Sequence, residues 1–183
     1  MKVMIITSSP NKDGLTEACG KAAMIGVEEG NGEPVMVRLN DLNIGKCHAC
    51  GNGWGTCRDK HECQMQDDFQ KLQDNMSGAD AYIVVTPVYW GEMSESAKAF
   101  FDRLRRCEAM TEGKNRTDGK PVISIAAAGG SGNGTITCLS QMERLFSHIR
   151  ARKYDLLGIT RKNRSIMLEA IQKAAKEMVL SSK

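Results

Sequence analysis

Five short apolar runs, most of them rich in β-branched residues, punctuate this sequence: Lys2–Thr7, Val35–Leu39, Ala81–Thr86, Pro121–Ala128 and Tyr154–Thr160. Between and after them lie stretches with helical spacing: Leu15 to about Glu29, Asp67–Met76, Ser94–Cys107, Thr135–Arg150 and Arg164–Leu180. Strands that alternate with helices at such distances make βαβ units, and these build a parallel sheet with helices on both faces. The run Ala81–Thr86 is apolar without alternation, as a strand buried on both sides should be. The first helix presents Leu15, Ala18, Cys19, Ala22, Ala23 and Val27 on one face. Side chains that small let a helix sit close to a sheet.

Five strands and five helices in 183 residues suit one domain, 1–183, with a Cys-rich loop inserted at about 40–66. The expected fold is a flavodoxin-like doubly wound five-stranded parallel sheet of order 2-1-3-4-5. In that topology a ligand sits outside the carboxyl ends of strands one and three, where the winding reverses. The loops richest in Gly, Pro, Ser and aromatics follow strands one, three and four, so all three should open on one edge.

The first of these loops carries Ser8, Ser9, Asn11, Gly14, Leu15 and Thr16 where a strand feeds a helix. Unpaired backbone N–H groups and the positive end of a helix dipole favour an anion there. The loop lacks both the Gly-Lys-Ser/Thr ending of a Walker loop and the Gly-x-Gly-x-x-Gly of a dinucleotide fold. A hydroxyl-and-amide cradle for a terminal monophosphate remains, or else a simple helix cap. The loop Pro87-Val88-Tyr89-Trp90-Gly91 puts two large rings at the rim, with Met93 adding a polarizable contact. Gly129-Gly130-Ser131-Gly132-Asn133-Gly134 lets backbone amides approach a flat heterocycle. A phosphate at one end with aromatics and free amides at the other describes FMN.

Net charge is +3, from 25 basic and 22 acidic side chains, with no basic stripe interleaved with aromatics. Nucleic acid is not the expected partner. The clusters Arg103, Arg105, Arg106 and Arg161, Lys162, Arg164 read as solvated helix and loop faces. No apolar run reaches the ~20 residues of a membrane span, and the N-terminus lacks a signal-peptide hydrophobic region, so a cytoplasmic protein is expected.

Thr7-Ser8-Ser9-Pro10-Asn11…Gly14-Leu15-Thr16, Thr86-Pro87-Val88-Tyr89-Trp90-Gly91…Lys98…Phe101-Asp102-Arg103 and Gly129–Gly134 together resemble the NADPH-dependent FMN reductase and iron–sulfur flavoprotein group. The resemblance covers nearly the whole chain. It implies that Ser9, Asn11, Leu15 and Thr16 hold the FMN phosphate, that Pro87 to Gly91 line ribityl and ring, and that Gly129–Gly132 lie by the isoalloxazine. It also implies a homodimer or homotetramer. The family loop often carries Arg where Asn11 stands, and Lys12 is the neighbouring cation that could compensate.

Seven Cys in a reducing compartment are poor candidates for structural disulfides. Cys19, Cys107 and Cys138 lie apart and read as buried small hydrophobes. Cys47, Cys50, Cys57 and Cys63, followed by Asp67-Asp68, resemble the compact motif by which iron–sulfur flavoproteins hold a [4Fe–4S] cluster. Residues Gly51-Asn52-Gly53-Trp54-Gly55-Thr56 widen its usual gap, so an empty loop and a four-thiolate zinc site stand beside the cluster. His48 and His61 read as solvent-facing.

The expected protein is an FMN-binding oxidoreductase that takes electrons from NAD(P)H or a redox protein. It passes them to a small molecule or through the cluster. The flavin carries the chemistry, and no side chain is assigned a catalytic acid–base role. Two rivals stand: a metal-free quinone or nitro-compound reductase, and a binding module whose crevice is empty and whose exposed rings meet a protein.

Overall fold

The computed structural model describes residues 1–108 and 115–181. Its elements are β1 (Lys2–Thr7), α1 (Leu15–Glu29), β2 (Glu33–Arg38), α2 (Thr56–Asp59), α3 (Phe69–Ser77), β3 (Ala81–Tyr89), β4 (Glu92–Met93), α4 (Glu95–Glu108), β5 (Pro121–Ala128), α5 (Thr135–His148), β6 (Arg152–Thr160) and α6 (Arg164–Leu180). The main sheet runs β2-β1-β3-β5-β6 with every pair parallel. That is the expected order 2-1-3-4-5 once the two-residue β4, which pairs antiparallel with β3, is set aside.

The two faces are built from the alternate residues of each strand. Val3, Ile5, Ile83, Val85, Ile123 and Ile125 meet α1 and α6 through Cys19, Ala23, Val27, Ile171, Ala175 and Met178. Met4, Ile6, Tyr82, Val84 and Val122 face α3, α4 and α5. On that second face a chain of rings, Phe69, Phe100, Phe101 and Phe146, links the three helices at centroid distances of 5.5, 5.1 and 5.7 Å. Each such buried ring contributes about 1.5–3 kcal/mol over an exposed one.

Helices α1 and α6 lie nearly in backbone contact. A Cβ at Gly26 would collide with the Gln172 carbonyl, and one at Gly30 would meet Val179 Cβ at 2.9 Å. The small face of α1 thus serves helix–helix as well as helix–sheet packing.

Several boundaries move from expectation for local reasons. The second strand is Glu33–Arg38, because Leu39 opens a 3₁₀ turn over Leu39–Asp41. The third strand runs on to Tyr89, so Pro87, Val88 and Tyr89 belong to a strand and not to a loop. Trp90 and Gly91 then form the tip of a tight hairpin into β4, both with positive φ (53° and 82°), the signature of a type I′ turn. The fifth helix stops at His148, and Arg150 takes φ 58°. Of the polar connection expected over 113–119, residues 113 and 114 lie outside the described residues. Its later part is anchored, with Thr117 buried and Oγ1 donating to the Ile149 carbonyl at 2.6 Å. Among the described residues no helix is long and apolar enough to cross a membrane.

Candidate functional site

The parallel strands β1, β3 and β5 all end at one edge, and their loops meet there. Ser9, Asn11, Gly14, Leu15 and Thr16 line one cavity of about 290 Å3 together with Pro87, Val88, Tyr89, Gly129 and Gly130. Trp90, Gly91, Ser131 and Gly132 line an adjoining one of about 520 Å3, which shares Val88 and Gly130 with the first. Taken together, the two adjoining cavities fall in the size range of small-molecule sites. A comparable space between α5 and β6, lined by Arg144, His148 and Lys153, opens at the opposite sheet edge and holds none of the expected residues.

The first loop is shaped by its own side chains. Ser9 Oγ accepts the Asn11 N–H at 3.2 Å, and Asn11 Oδ1 accepts the Asp13 N–H at 2.9 Å. These two turns deliver the chain to α1 at Gly14, where no side chain caps the helix. The N–H groups of Leu15 and Thr16 therefore have no acceptor among the described residues, and both residues face the cavity. Ser8 does not join them. It is buried, its hydroxyl bonds to the Val85 carbonyl at 3.4 Å, and it takes a bond from Ser94 Oγ at 3.0 Å. The single Ser94 hydroxyl proton is shared with the Ser8 carbonyl at 2.9 Å, and the Ser94 N–H donates to Thr86 Oγ1 at 3.1 Å. This hydroxyl network locks the first loop to β3 and the start of α4. The sequence offered no signal for it, since its members lie far apart in the chain.

The hairpin tip rests on the start of α5. A Cβ on Gly134, itself at φ 82°, would meet Gly91 Cα at 2.7 Å. Tyr89 is partly exposed and Trp90 wholly so, at the edge of the two cavities. Met93 points the other way. It is buried in the α3/α4/α5 core beside Val88, its partner across the hairpin, and lines neither cavity.

Three basic side chains lie differently from expectation, two of them by the crevice. Lys12 pairs with Asp41 at 3.0 Å and lines neither cavity. Arg161, read from sequence as a solvated face, does line the first. Arg103, also read as solvated, is fully buried. Beside α1, Glu17 is held by the Arg38 guanidinium, whose hydrogen bond keeps its carboxyl below the ordinary value against the effect of burial.

The four loop cysteines converge. Cys47, Cys50, Cys57 and Cys63 line one small cavity of about 20 Å3 with Met65, Arg103, Arg106 and the buried Cys107. Cys107 is therefore not an isolated core residue like Cys19 and Cys138; it backs the cysteine loop from α4. The widening insertion folds down onto the same helix, with the Arg106 guanidinium 4.2 Å above the Trp54 ring. Arg103 ties the loop's exit, donating to both oxygens of Asp67, to the Gly45 carbonyl at 3.0 Å and to Cys63 Sγ at 3.3 Å. Its Nε–H is buried without an acceptor among the described residues. His48 lines the cysteine cavity, whereas His61 does not face solvent freely, its Nδ1 lying 3.1 Å from the Cys107 carbonyl.

Comparison with known proteins fits this geometry. The family profile described as NADPH-dependent FMN reductase matches residues 1–155. An iron–sulfur flavoprotein of Methanosarcina thermophila is 34% identical over 137 residues, 73% of this chain and 66% of that protein. A second iron–sulfur flavoprotein, from Methanocaldococcus jannaschii, is 27% identical over 146 residues, 80% of this chain and 72% of that one. The matched part thus spans about two-thirds of those relatives and less than half of a third, from Archaeoglobus fulgidus, at 46%. Among solved structures, an NAD(P)H:quinone oxidoreductase from Methanothermobacter marburgensis superposes with a TM-score of 0.73 at 17% identity, covering 97% of this chain and 96% of its own. A flavodoxin from the Archaea superposes at 0.66 and 15% identity, covering 99% and 98%. A family match across most of the length, on a fold that these neighbours share, leads to one statement: the chain belongs to the NADPH-dependent FMN reductase family.

Proposed function

We propose that this member of the family is an FMN-dependent oxidoreductase whose flavin lies across the two joined cavities, phosphate at the start of α1 and ring beside the hairpin. The observation that carries the reading is the convergence of the loops after β1, β3 and β5 on one crevice at an uncapped helix start. The unpaired N–H groups of Leu15 and Thr16, with the hydroxyls of Ser9 and Thr16, suit a phosphate. Gly14 and Asn11 shape the turn beneath it. Pro87, Val88, Tyr89, Trp90 and Gly91 on one side and Gly129, Gly130, Ser131 and Gly132 on the other leave a slot for a planar ring. FMN supplies electron transfer in one- or two-electron steps, with NAD(P)H as donor; the protein supplies placement, amide hydrogen bonds and exclusion of water.

Replacing Ser9 and Thr16 together by Val tests the phosphate site. FMN retention should be lost while circular dichroism stays native. Unchanged FMN affinity in that variant places the phosphate elsewhere. A wild-type protein that purifies colourless and quenches no added FMN favours the binding-module reading.

The cysteine loop supports a second component, a [4Fe–4S] cluster. Four cysteines line one cavity, two guanidinium groups border it, Arg103 already donates to Cys63 Sγ, and the buried Arg103 Nε–H has no acceptor among the described residues. That donor chemistry fits a cluster ligated by four thiolates, which carries net negative charge. The void is smaller than such a group, so residues 42–55, which form neither helix nor strand, would move outward around it. Among the described residues no three His, Cys, Asp or Glu side chains gather as a site for one metal ion. Iron and acid-labile sulfide in anaerobically purified protein would establish the cluster. Their absence, with FMN present, leaves the metal-free reductase.

The exposed Trp90, together with Ile136 on the first turn of α5, supports a homo-oligomer that covers this rim. Light scattering of wild-type and Trp90→Ser protein checks it; an unchanged monomer in both removes the idea.

A further inference from the structure

A phosphate monoester carries close to two negative charges at neutral pH, and the start of one helix offsets only about half a charge. The first loop adds no cation of its own to the crevice. Position 11 is Asn, its Oδ1 occupied by the Asp13 N–H, and Lys12 is paired with Asp41 away from the cavity. Among the described residues, one positive side chain does line the cavity with Ser9, Gly14 and Thr16, and no carboxylate does. That side chain is Arg161.

Arg161 arrives from the far end of the sheet, in the turn between β6 and α6, by two structural means. First, the turn is stiff. The Thr160 N–H donates to Asn163 Oδ1 at 2.7 Å, and Thr160 Oγ1 accepts the Lys162 N–H at 3.2 Å. Second, α1 and α6 run side by side with Gly26 against Gln172. As many residues separate Gly26 from Leu15 as separate Gln172 from Arg161, so parallel packing brings Arg161 level with the first turn of α1. The Arg164 charge felt at Cys19, one turn farther along, agrees with that register. Among the described residues no ion pair or hydrogen bond engages the Arg161 guanidinium, which leaves its donors available to a ligand.

We propose that Arg161 is the cation of the FMN phosphate site, taking from the last strand's turn the role that this chain's first loop cannot fill, and that it makes the site select FMN over riboflavin. The inference rests on the FMN reading above. A planar guanidinium can donate two parallel hydrogen bonds to phosphate oxygens, which a Lys in the first loop could not do.

The test is a pair of fluorescence-quenching titrations of the apoprotein, with FMN and with riboflavin. Arg161→Gln should weaken FMN binding about tenfold or more while riboflavin binding stays as in wild type. Arg161→Lys should recover part of the loss, and the salt dependence of FMN binding should flatten in Arg161→Gln. Lys12→Gln should bind FMN as wild type does. Arg161→Gln that binds FMN like wild type, or that loses both flavins equally, overturns the proposal. Wild-type protein that binds neither flavin instead overturns the FMN reading beneath it. Arg161 is exposed, so thermal unfolding of each variant should match wild type and separates binding loss from misfolding.

Discussion

Arg103 and Asp67 form a bidentate ion pair in the protein interior, Nη1 to Oδ2 at 2.6 Å and Nη2 to Oδ1 at 2.8 Å, with side chains 1% and 8% exposed. The guanidinium also lies 4.3 Å above the Phe69 ring. One helix of the core, α4, therefore fixes the exit of the cysteine loop and offers a hydrogen bond to Cys63. Removing one partner of a buried pair leaves the other charged and unpaired, at a cost of about 3–5 kcal/mol. Asp67→Asn or Arg103→Met should lower the thermal midpoint markedly and reduce iron retention after anaerobic reconstitution. The double variant Arg103→Met/Asp67→Leu should regain most of the thermal stability and none of the iron retention. Equal iron in all three would mean that the pair is irrelevant to the loop.

The same pair makes stability fall in acid. Burial tends to raise the Asp67 pKa, but hydrogen bonds from Arg103 and from the Gly45 and Phe69 N–H groups outweigh it, so the folded value lies below the ordinary 3.8. Glu17, bonded to Arg38, lies below its ordinary 4.5. A carboxyl depressed by folding contributes stability above its unfolded pKa and loses it as pH falls through the folded one. Urea midpoints should therefore hold from neutral pH to about 5 and decline below about 4. The decline should be shallower in Asp67→Asn. An identical slope in the variant would assign the acid loss to other groups.

Trp90 occupies a left-handed conformation at the tip of a type I′ hairpin, where Asn followed by Gly is favoured. At dilutions where the protein is monomeric, Trp90→Asn should raise stability by about 1 kcal/mol, because Asn tolerates that conformation and the exposed ring loses no packing. NAD(P)H oxidation should slow if the ring serves the crevice. A lower thermal midpoint in Trp90→Asn would show that Trp90 packs against something in solution.

Gly134 tests how tightly the hairpin must sit on α5. A Cβ there meets the backbone of Gly91 and forces a non-Gly residue to φ 82°. Gly134→Ala should cost about 1–3 kcal/mol and weaken FMN binding, because the loop after β5 and the hairpin move apart. Native FMN affinity in Gly134→Ala would separate that contact from the site.

Gly26 stands 11 residues from the start of α1, yet Gly26→Ala should loosen the same end of the crevice. The added methyl pushes α6 off α1, costs about 1–3 kcal/mol, and draws Arg161 from the helix start. Reduced selectivity for FMN over riboflavin is the expected reading, and unchanged selectivity would uncouple the helix spacing from the site.

Much of this architecture was legible in the order of residues, because its causes are local. The apolar runs at Lys2–Thr7 and Pro121–Ala128 and the closing helix Arg164–Leu180 occupy the expected residues, since period and side-chain type set them without outside help. Parallel topology then sends the loops after β1, β3 and β5 to one edge, which is why Ser9, Thr16, Tyr89 and Gly130 could be named together. Where each side chain points depends on partners distant in sequence, and there the sequence alone was mute. Met93 turns into the core because a two-residue hairpin reverses the strand, and Ser8 is drawn under the loop by Ser94. Arg103, one of a cluster of three arginines, is buried because Asp67 meets it across the cysteine loop. Arg161 reaches the crevice because α6 packs against Gly26 of α1 at a register that no local pattern encodes. Charge and periodicity determined which elements form; long-range packing decided which charges face the site.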